Sequence, residues 1–128
     1  MHKVLLVDDD PINNFLNKNI IRELISPLIP VKAFLNPEEA LQYLIDLNDH
    51  HKEDLPDFIF LDINMPEMSG FEFLDLYIEN KLDKLPIQIY ILTSSLDPND
   101  LEVSKLYPIV QDLVSKPLKG DIVRRILV

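Results

Sequence analysis

The sequence contains no cysteine and only two glycines among its 128 residues. Without cysteine the protein cannot hold a disulfide framework, a thiolate zinc site or a thiol nucleophile. Two glycines do not make a glycine-rich phosphate loop, and the acidic first loop would repel the phosphate of a flavin. Positive charge is also scarce, since 12 Lys and Arg accompany 22 Asp and Glu and the formal net charge is −10. Nucleic acid and anionic membranes are therefore excluded as expected partners, because both are bound through clustered cations.

Long hydrophobic segments are absent as well. The longest apolar runs have about four residues, which is too short to cross a bilayer. The apolar segment at the start of the chain ends at three aspartates and is too short for the hydrophobic region of a signal peptide. We therefore expect a cytoplasmic protein. Apolar residues make up 47% and charged residues 27% of the chain, an ordinary globular balance. Its length predicts a single domain over residues 1–128, and no output domain is expected.

Short apolar runs alternate with longer stretches of helical period, and this alternation predicts the fold class. Two of the runs, 4–7 and 58–61, are apolar at every position, as is typical of central parallel strands covered on both faces. Five strand-then-helix units indicate an α/β fold, in which a five-stranded parallel sheet carries helices on both faces. The other runs are 31–34, 87–92 and 109–114.

Capping chemistry marks the predicted helix starts. Asp10, Asn36 and Asp97 each precede a proline, which combines an N-cap acceptor with proline at the first helical position. Ser69 begins a capping box at a fourth start. The polar stretch 48–54 is predicted to be a surface loop. The first helix is expected to bury one apolar stripe, formed by Ile12, Phe15, Leu16, Ile20 and Leu24.

Ligands of such a sheet bind beyond the carboxyl ends of its strands, so the residues that follow each run are informative. Carboxylates about 5 Å apart repel by roughly 3 kcal/mol at an effective dielectric constant near 20, so several acids together need a cation. Oxygen ligands without histidine or cysteine suit Mg²⁺. The polar residues at these ends are Asp8, Asp9, Asp10, Asp62, Thr93, Ser94, Ser95, Ser115 and Lys116.

The same strand ends supply the parts of a phosphoryl-transfer site. Lys116 provides a compact positive charge for a phosphoryl oxygen, and Thr93 provides a hydroxyl donor. Asp8 and Asp9 are adjacent and suit metal binding as a pair. Asp62 stands alone on a loop that turns at a proline and can face a donor protein. We therefore predict that Asp62 accepts the phosphoryl group as an aspartyl phosphate.

At four strand ends the sequence resembles the receiver domain of two-component response regulators, of the chemotaxis CheY type. The motifs are VLLVDDD at 4–10, LDINMP at 61–66 followed by SG at 69–70, ILTS at 91–94 and SKP at 115–117. They cover essentially the whole chain in order. The resemblance implies a flavodoxin-like (βα)₅ fold with strand order 2-1-3-4-5. It also implies phosphorelay signalling without turnover of external substrates, because a receiver only phosphorylates and dephosphorylates itself.

The resemblance implies a role for each site residue. Asp62 matches the phosphoacceptor, Thr93 the hydroxyl that follows the phosphoryl group, and Lys116 the lysine that pairs with it. The bond between Lys116 and Pro117 is expected to be cis. The donor would be a phosphohistidine on a histidine kinase or a histidine phosphotransfer domain.

The implied metal is Mg²⁺. Asp9 matches its direct ligand, and Asp8 matches the neighbouring acid that often acts through water. Asp62 and the backbone carbonyl of Asn64 complete the implied ligand set.

Two departures from the family pattern concern switching and partners. Receivers commonly have an aromatic residue where this chain has Leu113, and often Gly-Ala where it has Tyr107-Pro108-Ile109. Both positions adjoin the face of the fourth helix and fifth strand, through which receivers usually bind a downstream protein. Position 95, which is linked in the family to the rate of hydrolysis, is serine.

Two alternatives remain open at the level of sequence. The acids at 8–10 also fit the D-x-D start of haloacid-dehalogenase-type phosphatases, with Asp8 as nucleophile. That family needs an acidic pair after its lysine, whereas only Asp121 follows Lys116, and Asp62 has no role in it. The other alternative is a receiver-like interaction module that never carries phosphate.

Overall fold

The computed structural model describes residues 2–94 and 97–128. Its five strands form one sheet in the order β2-β1-β3-β4-β5, and every neighbouring pair is parallel. The fold class and strand order predicted from the sequence are therefore confirmed. The strands are β1 Val4–Val7, β2 Val31–Phe34, β3 Phe58–Asp62, β4 Gln88–Thr93 and β5 Val110–Ser115. The helices are α1 Pro11–Leu24, α2 Pro37–His50, α3 Gly70–Glu79, α4 Pro98–Ser104 and α5 Gly120–Leu127.

The sheet separates two hydrophobic clusters. β1 and β3 are buried along their whole length, as their unbroken apolar runs predict. On one face, residues of α2 and α3 such as Leu44 and Phe73 pack against Leu5 and Ile59. On the other face, residues of α1 and α5 pack against the alternate side chains of the same strands. The central strands are thus rigidly enclosed, and the residues at their carboxyl ends are held in place.

The predicted helix starts are confirmed. Asp10 accepts from the backbone N–H of Ile12, and Asn36 and Asp97 cap α2 and α4 in the same way. Each of these three helices begins at the proline. Ser69 caps α3 by accepting from the N–H of Glu72. No helix in the described parts of the chain is both long and apolar enough to span a membrane.

The predicted burial of α1 is wrong at the start of the helix. Ile12 is 65% exposed and Phe15 63%, and Leu16 is also exposed, whereas Asn14 and Asn17 are buried together with Ile21. Ile20 and Leu24, further along the predicted stripe, do pack against the core. The first turns of α1 lie under the strand ends, where backbone groups need polar partners, and this requirement overrides the apolar period.

The polar stretch at 48–54 is also partly mispredicted, because it is not one loop. α2 continues to His50, and a short 3₁₀-helix covers Lys52–Asp54. The physical reason is Leu47, which is buried three residues after Leu44 and extends the apolar face of α2 by a further turn.

Candidate functional site

Four strand ends meet at one edge of the sheet and bring the predicted site residues together. Asp8 directly follows β1, Asp62 ends β3, Thr93 ends β4, and Lys116 directly follows β5. Asp8, Asp62 and Thr93 are buried, and the Lys116 side chain is nearly so. The predicted convergence of these residues is therefore confirmed.

The Lys116 ammonium lies between two carboxylates. Its Nζ atom is 3.1 Å from Oδ2 of Asp8 and 3.0 Å from Oδ1 of Asp62. Asp9 lies close by, because carboxylate oxygens of Asp8, Asp9 and Asp62 all fall within 4.8 Å of one another. One ammonium therefore faces three carboxylates, and the pocket is strongly negative when all three are ionised.

Burial and charge perturb the ionisation of the pocket. Burial raises the pKa of Asp62 from its ordinary 3.8 to about 6; the contact with Lys116 opposes this rise, and the charge of Asp8 adds to it. Burial alone would lower the pKa of Lys116, but its contacts with Asp62 and Asp8 raise it above the ordinary value. The lysine therefore stays charged at neutral pH, whereas Asp62 becomes ionised only as the pH rises through about 6.

Backbone groups fix the carboxylates. The N–H of Asp10 donates to Oδ1 of Asp8 over 2.9 Å, and the N–H of Asn64 donates to Oδ1 of Asp62 over 3.3 Å. The N–H of Lys116 donates to the carbonyl of Thr93 over 2.8 Å, which ties the turn after β5 to the end of β4.

Three further sequence predictions concern the surroundings of the carboxylate cluster. Asp10 caps α1 and is outside the three-acid group. The Lys116–Pro117 bond is cis, as expected. Ser95 lies outside the described residues.

The donor set fits a hard divalent cation. All three clustered side chains offer carboxylate oxygens, and the single lysine leaves about two negative charges uncompensated when all three are ionised. Oxygen ligands and this charge match Mg²⁺ better than a transition metal that prefers nitrogen or sulfur. The predicted contribution of the Asn64 carbonyl stays a prediction.

Sequence reasoning missed two buried amides beneath the site. The Nδ2 of Asn14 donates to the carbonyl of Asp8 over 3.0 Å, and the Oδ1 of Asn17 accepts from the N–H of Leu118 over 3.1 Å. Their signal in the sequence is an asparagine pair three residues apart, which places both amides on one face of a helix.

Gly70 lets the start of α3 approach the end of β3. A Cβ atom there would lie 2.8 Å from the backbone oxygen of Asp62 and 3.0 Å from Cα of Ile63. We therefore expect Gly70→Ala to destabilise the fold by about 1–3 kcal/mol and to displace the Asp62 loop. Urea unfolding measures the loss of stability.

The other glycine provides the matched control. A Cβ at Gly120 would come no nearer than 3.2 Å, and the neighbour is the end of the Leu24 side chain, which can move. Gly120→Ala should therefore cost much less than Gly70→Ala. Equal losses in the two variants would contradict the role given to the close approach at Gly70.

Comparisons with known proteins agree with this geometry. A family model described as the response regulator receiver domain matches residues 4–127. The chemotaxis protein CheY of Listeria monocytogenes is 30% identical over 121 residues, which cover 94% of this chain and 91% of that protein. A solved structure of a two-component response regulator from Cytophaga hutchinsonii superposes with a TM-score of 0.87 at 34% identity, covering 96% of this chain and 91% of that one.

Other relatives are longer than this chain. The probable C4-dicarboxylate response regulator DctR of Bacillus subtilis is 28% identical over 125 residues, which cover 98% of this chain but 50% of that protein. The two-component response regulator ORR1 of rice is likewise covered over 53% of its length. The chain thus spans about half the length of these relatives.

Proposed function

The chain belongs to the response regulator receiver domain family, and from this membership we propose that it accepts a phosphoryl group on Asp62 in a two-component phosphorelay. The donor is a phosphohistidine on a histidine kinase or a histidine phosphotransfer domain. Phosphorylation then changes the affinity for a downstream protein. Its place in the cytoplasm and its action as a single stand-alone domain stay predictions.

One observation carries the proposal: the Lys116 ammonium contacts both Asp8 and Asp62, from two different strand ends, at 3.1 and 3.0 Å. A structural ion pair needs only one carboxylate, whereas a third acid beside this pair costs free energy unless a cation is bound. A buried lysine and an acidic cluster at the carboxyl edge of a parallel sheet are the parts of a phosphoryl-transfer site.

The proposed transfer is a displacement at phosphorus. An oxygen of the Asp62 carboxylate attacks the phosphorus atom, the P–N bond to the donor imidazole breaks, and the leaving imidazole keeps the electron pair. We assign the attack to Oδ2, because Oδ1 is contacted by the N–H of Asn64 and by Lys116. The Lys116 ammonium lies where it can contact one oxygen of the transferred phosphoryl group. The Thr93 hydroxyl is proposed to donate a hydrogen bond to another phosphoryl oxygen.

Mg²⁺ fits the three clustered carboxylates, which would hold it together with the carbonyl of Asn64. When bound, it neutralises charge that develops on the transferred phosphoryl group. Asp8 and Asp9, from the end of β1 and the turn after it, would hold the ion together with Asp62, since carboxylate oxygens of the three lie within 4.8 Å of one another. Asp62 ionises more readily in the presence of an added positive charge, which favours its role as nucleophile.

The exposed side of α1 is proposed to contact the donor protein. Ile12, Phe15 and Leu16 form an exposed apolar group on the first turns of α1, directly after the acidic loop of the site. A donor that brings its histidine to Asp62 must pass this edge, and an apolar surface beside a charged pocket suits an apolar helix face.

We expect Phe15→Ala to slow phosphotransfer from a phosphohistidine protein by roughly tenfold, as loss of an interface anchor does. Phosphorylation by acetyl phosphate should be unchanged, because a small donor needs no protein surface. The matched control is Leu28→Ala, which removes a side chain that is 79% exposed in the turn between α1 and β2. Radiolabel transfer from the fastest donor in a panel of phosphotransfer domains measures the rates. Equal slowing with both donors would contradict the assignment.

The downstream partner is proposed to bind between α4 and β5. Leu101 and Leu106 are exposed there, and a cavity of 240 Å³ lies beside Leu113, where receivers commonly have an aromatic residue. The adjoining loop is anchored to α3, because the Tyr107 ring stacks on Phe71 and its hydroxyl donates to Asp75 over 2.7 Å. An apolar partner side chain is the occupant that fits this cavity.

The proposed function is tested by mass spectrometry of the intact protein with Mg²⁺ and acetyl phosphate. We expect the mass to increase by one phosphoryl group, and the increase to disappear when the metal is chelated. Beryllofluoride, which mimics a phosphoryl group, should bind with the same metal requirement. A protein that gains no mass and does not bind beryllofluoride would refute phosphorylation and leave the interaction module as the better explanation.

A further inference from the structure

The inner face of α1 carries amides where a helix of this fold would bury apolar side chains. Asn17 is only 1% exposed and Asn14 only 6%, and Ile21 continues the same buried face. Burying an amide is unfavourable unless it makes specific hydrogen bonds. Each amide makes such a bond through one of its polar atoms, Nδ2 of Asn14 and Oδ1 of Asn17, and both bonds lead to the backbone of the phosphoacceptor pocket. The other polar atom of each amide is buried without a hydrogen-bond partner among the described residues.

Asn14 holds the acidic side of the pocket. Its Nδ2 donates to the carbonyl of Asp8 over 3.0 Å and lies 3.4 Å from the carbonyl of Phe34 at the end of β2. The backbone N–H of Asp8 in turn donates to the same Phe34 carbonyl over 3.1 Å. The residue that begins the acidic loop is therefore fixed from α1 and from β2.

Asn17 holds the lysine side of the pocket. Its Oδ1 accepts from the backbone N–H of Leu118, which is 101 positions from Asn17 in the chain. Leu118 lies two residues after Lys116. On the other side, the N–H of Lys116 donates to the carbonyl of Thr93. The turn that carries the lysine is thus pinned to β4 before it and to α1 after it.

We infer that Asn17 is a positioning residue for phosphoryl transfer, which fixes the turn after β5 so that the Lys116 ammonium stays between Asp8 and Asp62. The inference rests on the proposed function and adds a residue to it. A lysine side chain has many rotamers, so its ammonium reaches two carboxylates from different strands only when its backbone is held in place. Asn14 plays the corresponding part for Asp8, and the two amides control opposite sides of one pocket.

The test compares Asn17→Leu with Asn14→Leu, and both with Asn19→Leu, which alters an exposed asparagine on the same helix. Leucine keeps the four-atom branched side chain of asparagine, with somewhat larger branches, and removes the hydrogen-bonding amide. In Asn17→Leu we expect phosphorylation by acetyl phosphate to slow by roughly 10- to 100-fold, as for a misplaced catalytic group. Its affinity for Mg²⁺, measured by calorimetry, should not fall, because the variant removes no proposed ligand and takes a positive charge away from two of them. In Asn14→Leu the affinity for Mg²⁺ should fall, and Asn19→Leu should match the wild type.

Two further readouts do not depend on phosphorylation. Hydrogen exchange of the Leu118 amide should accelerate in Asn17→Leu and stay slow in Asn14→Leu. The NMR signal of the Lys116 ammonium, which slow proton exchange between two carboxylates makes observable, should disappear in Asn17→Leu alone. If Asn17→Leu does not fold, Asn17→Ala is assayed in the same way.

The outcomes separate the two proposals. A wild-type protein that acetyl phosphate does not phosphorylate overturns the proposed function, whereas the ammonium signal still decides the role of Asn17. A folded Asn17 variant that keeps both the wild-type rate and the ammonium signal overturns the inference. So does a variant in which metal affinity and phosphorylation fall in the same proportion, because that is the result of general structural damage.

Discussion

At neutral pH and without divalent metal, the Asp62→Asn variant will be more stable than the wild-type protein. One ammonium contacts two of the three clustered carboxylates, and burial raises the pKa of Asp62 to about 6 from its ordinary 3.8. The folded state therefore binds more protons than the unfolded state between these values, and stability falls as the pH rises through them. A displacement of about two pH units corresponds to about 3 kcal/mol, which is the upper limit of the expected gain at pH 7.

The pH dependence makes this prediction specific. Asparagine resembles the protonated acid, so the advantage of Asp62→Asn should shrink toward pH 4, where the wild-type carboxyl is itself largely protonated. Urea unfolding at both pH values, with a chelator present, measures the difference. The exposed Asp49→Asn on α2 is the matched control and should change stability little at either pH. A destabilised Asp62→Asn at pH 7, or a gain of equal size at pH 4, would contradict the argument.

The same variant distinguishes the two phosphoryl chemistries. If Asp62 is the nucleophile, Asp62→Asn takes no phosphoryl group from acetyl phosphate, whereas Asp8→Asn still does so at a reduced rate. A phosphatase that uses Asp8 would show the reverse pattern. Intact mass after incubation with Mg²⁺ and acetyl phosphate identifies which of the two variants stays unmodified.

The Asp9→Asn variant will lose most of its affinity for Mg²⁺. Lys116 contacts Asp8 and Asp62, and the described contacts of its ammonium do not include Asp9. Asp9 therefore contributes negative charge that the lysine does not neutralise directly. Because even indirect supporting residues of metal sites are worth roughly 10- to 100-fold in affinity, removal of a proposed ligand should cost at least as much.

Stability with and without the metal measures this loss. A ligand present at a hundred times its dissociation constant stabilises the folded state by about 2.7 kcal/mol. We expect such a gain in the wild-type protein and little in Asp9→Asn at the same Mg²⁺ concentration. Asp10→Asn is the matched control, since Asp10 is adjacent in sequence, caps α1 and lies outside the three-acid cluster. Asparagine also caps helices well. A similar loss in Asp10→Asn would mean that the effect reflects net charge alone.

Most of the site could be predicted because its residues lie at strand ends, where the topology of a parallel sheet fixes their position. The unbroken apolar runs 4–7 and 58–61 must form strands that are buried on both faces, and the acids that follow these runs must then meet at one edge. The lysine after β5 follows by the same reasoning. The distances of Lys116 to two carboxylates were not predictable, because they depend on a turn that is held by hydrogen bonds from α1 and β4.

The orientation of α1 was not predictable from its apolar period. The helix has apolar residues on two sides, and the period does not say which side the sheet covers. Ile21 and Leu24 pack inward, whereas Phe15, six residues before Ile21, faces solvent. At the start of the helix, carbonyl groups at the strand ends need hydrogen-bond donors, and this need determines which side of the helix is buried. It leaves no periodic signal in the sequence.

The two sides of α1 can consequently be altered independently of each other in an engineered protein. On the proposed donor contact, exchange of the outward side for that of another receiver is expected to redirect the protein to a different upstream sensor, while the inward asparagines keep the proposed chemistry intact. The two sets of residues alternate along the same three turns. Substitution of the solvent-facing residues alone should therefore change the proposed donor protein without altering the pocket.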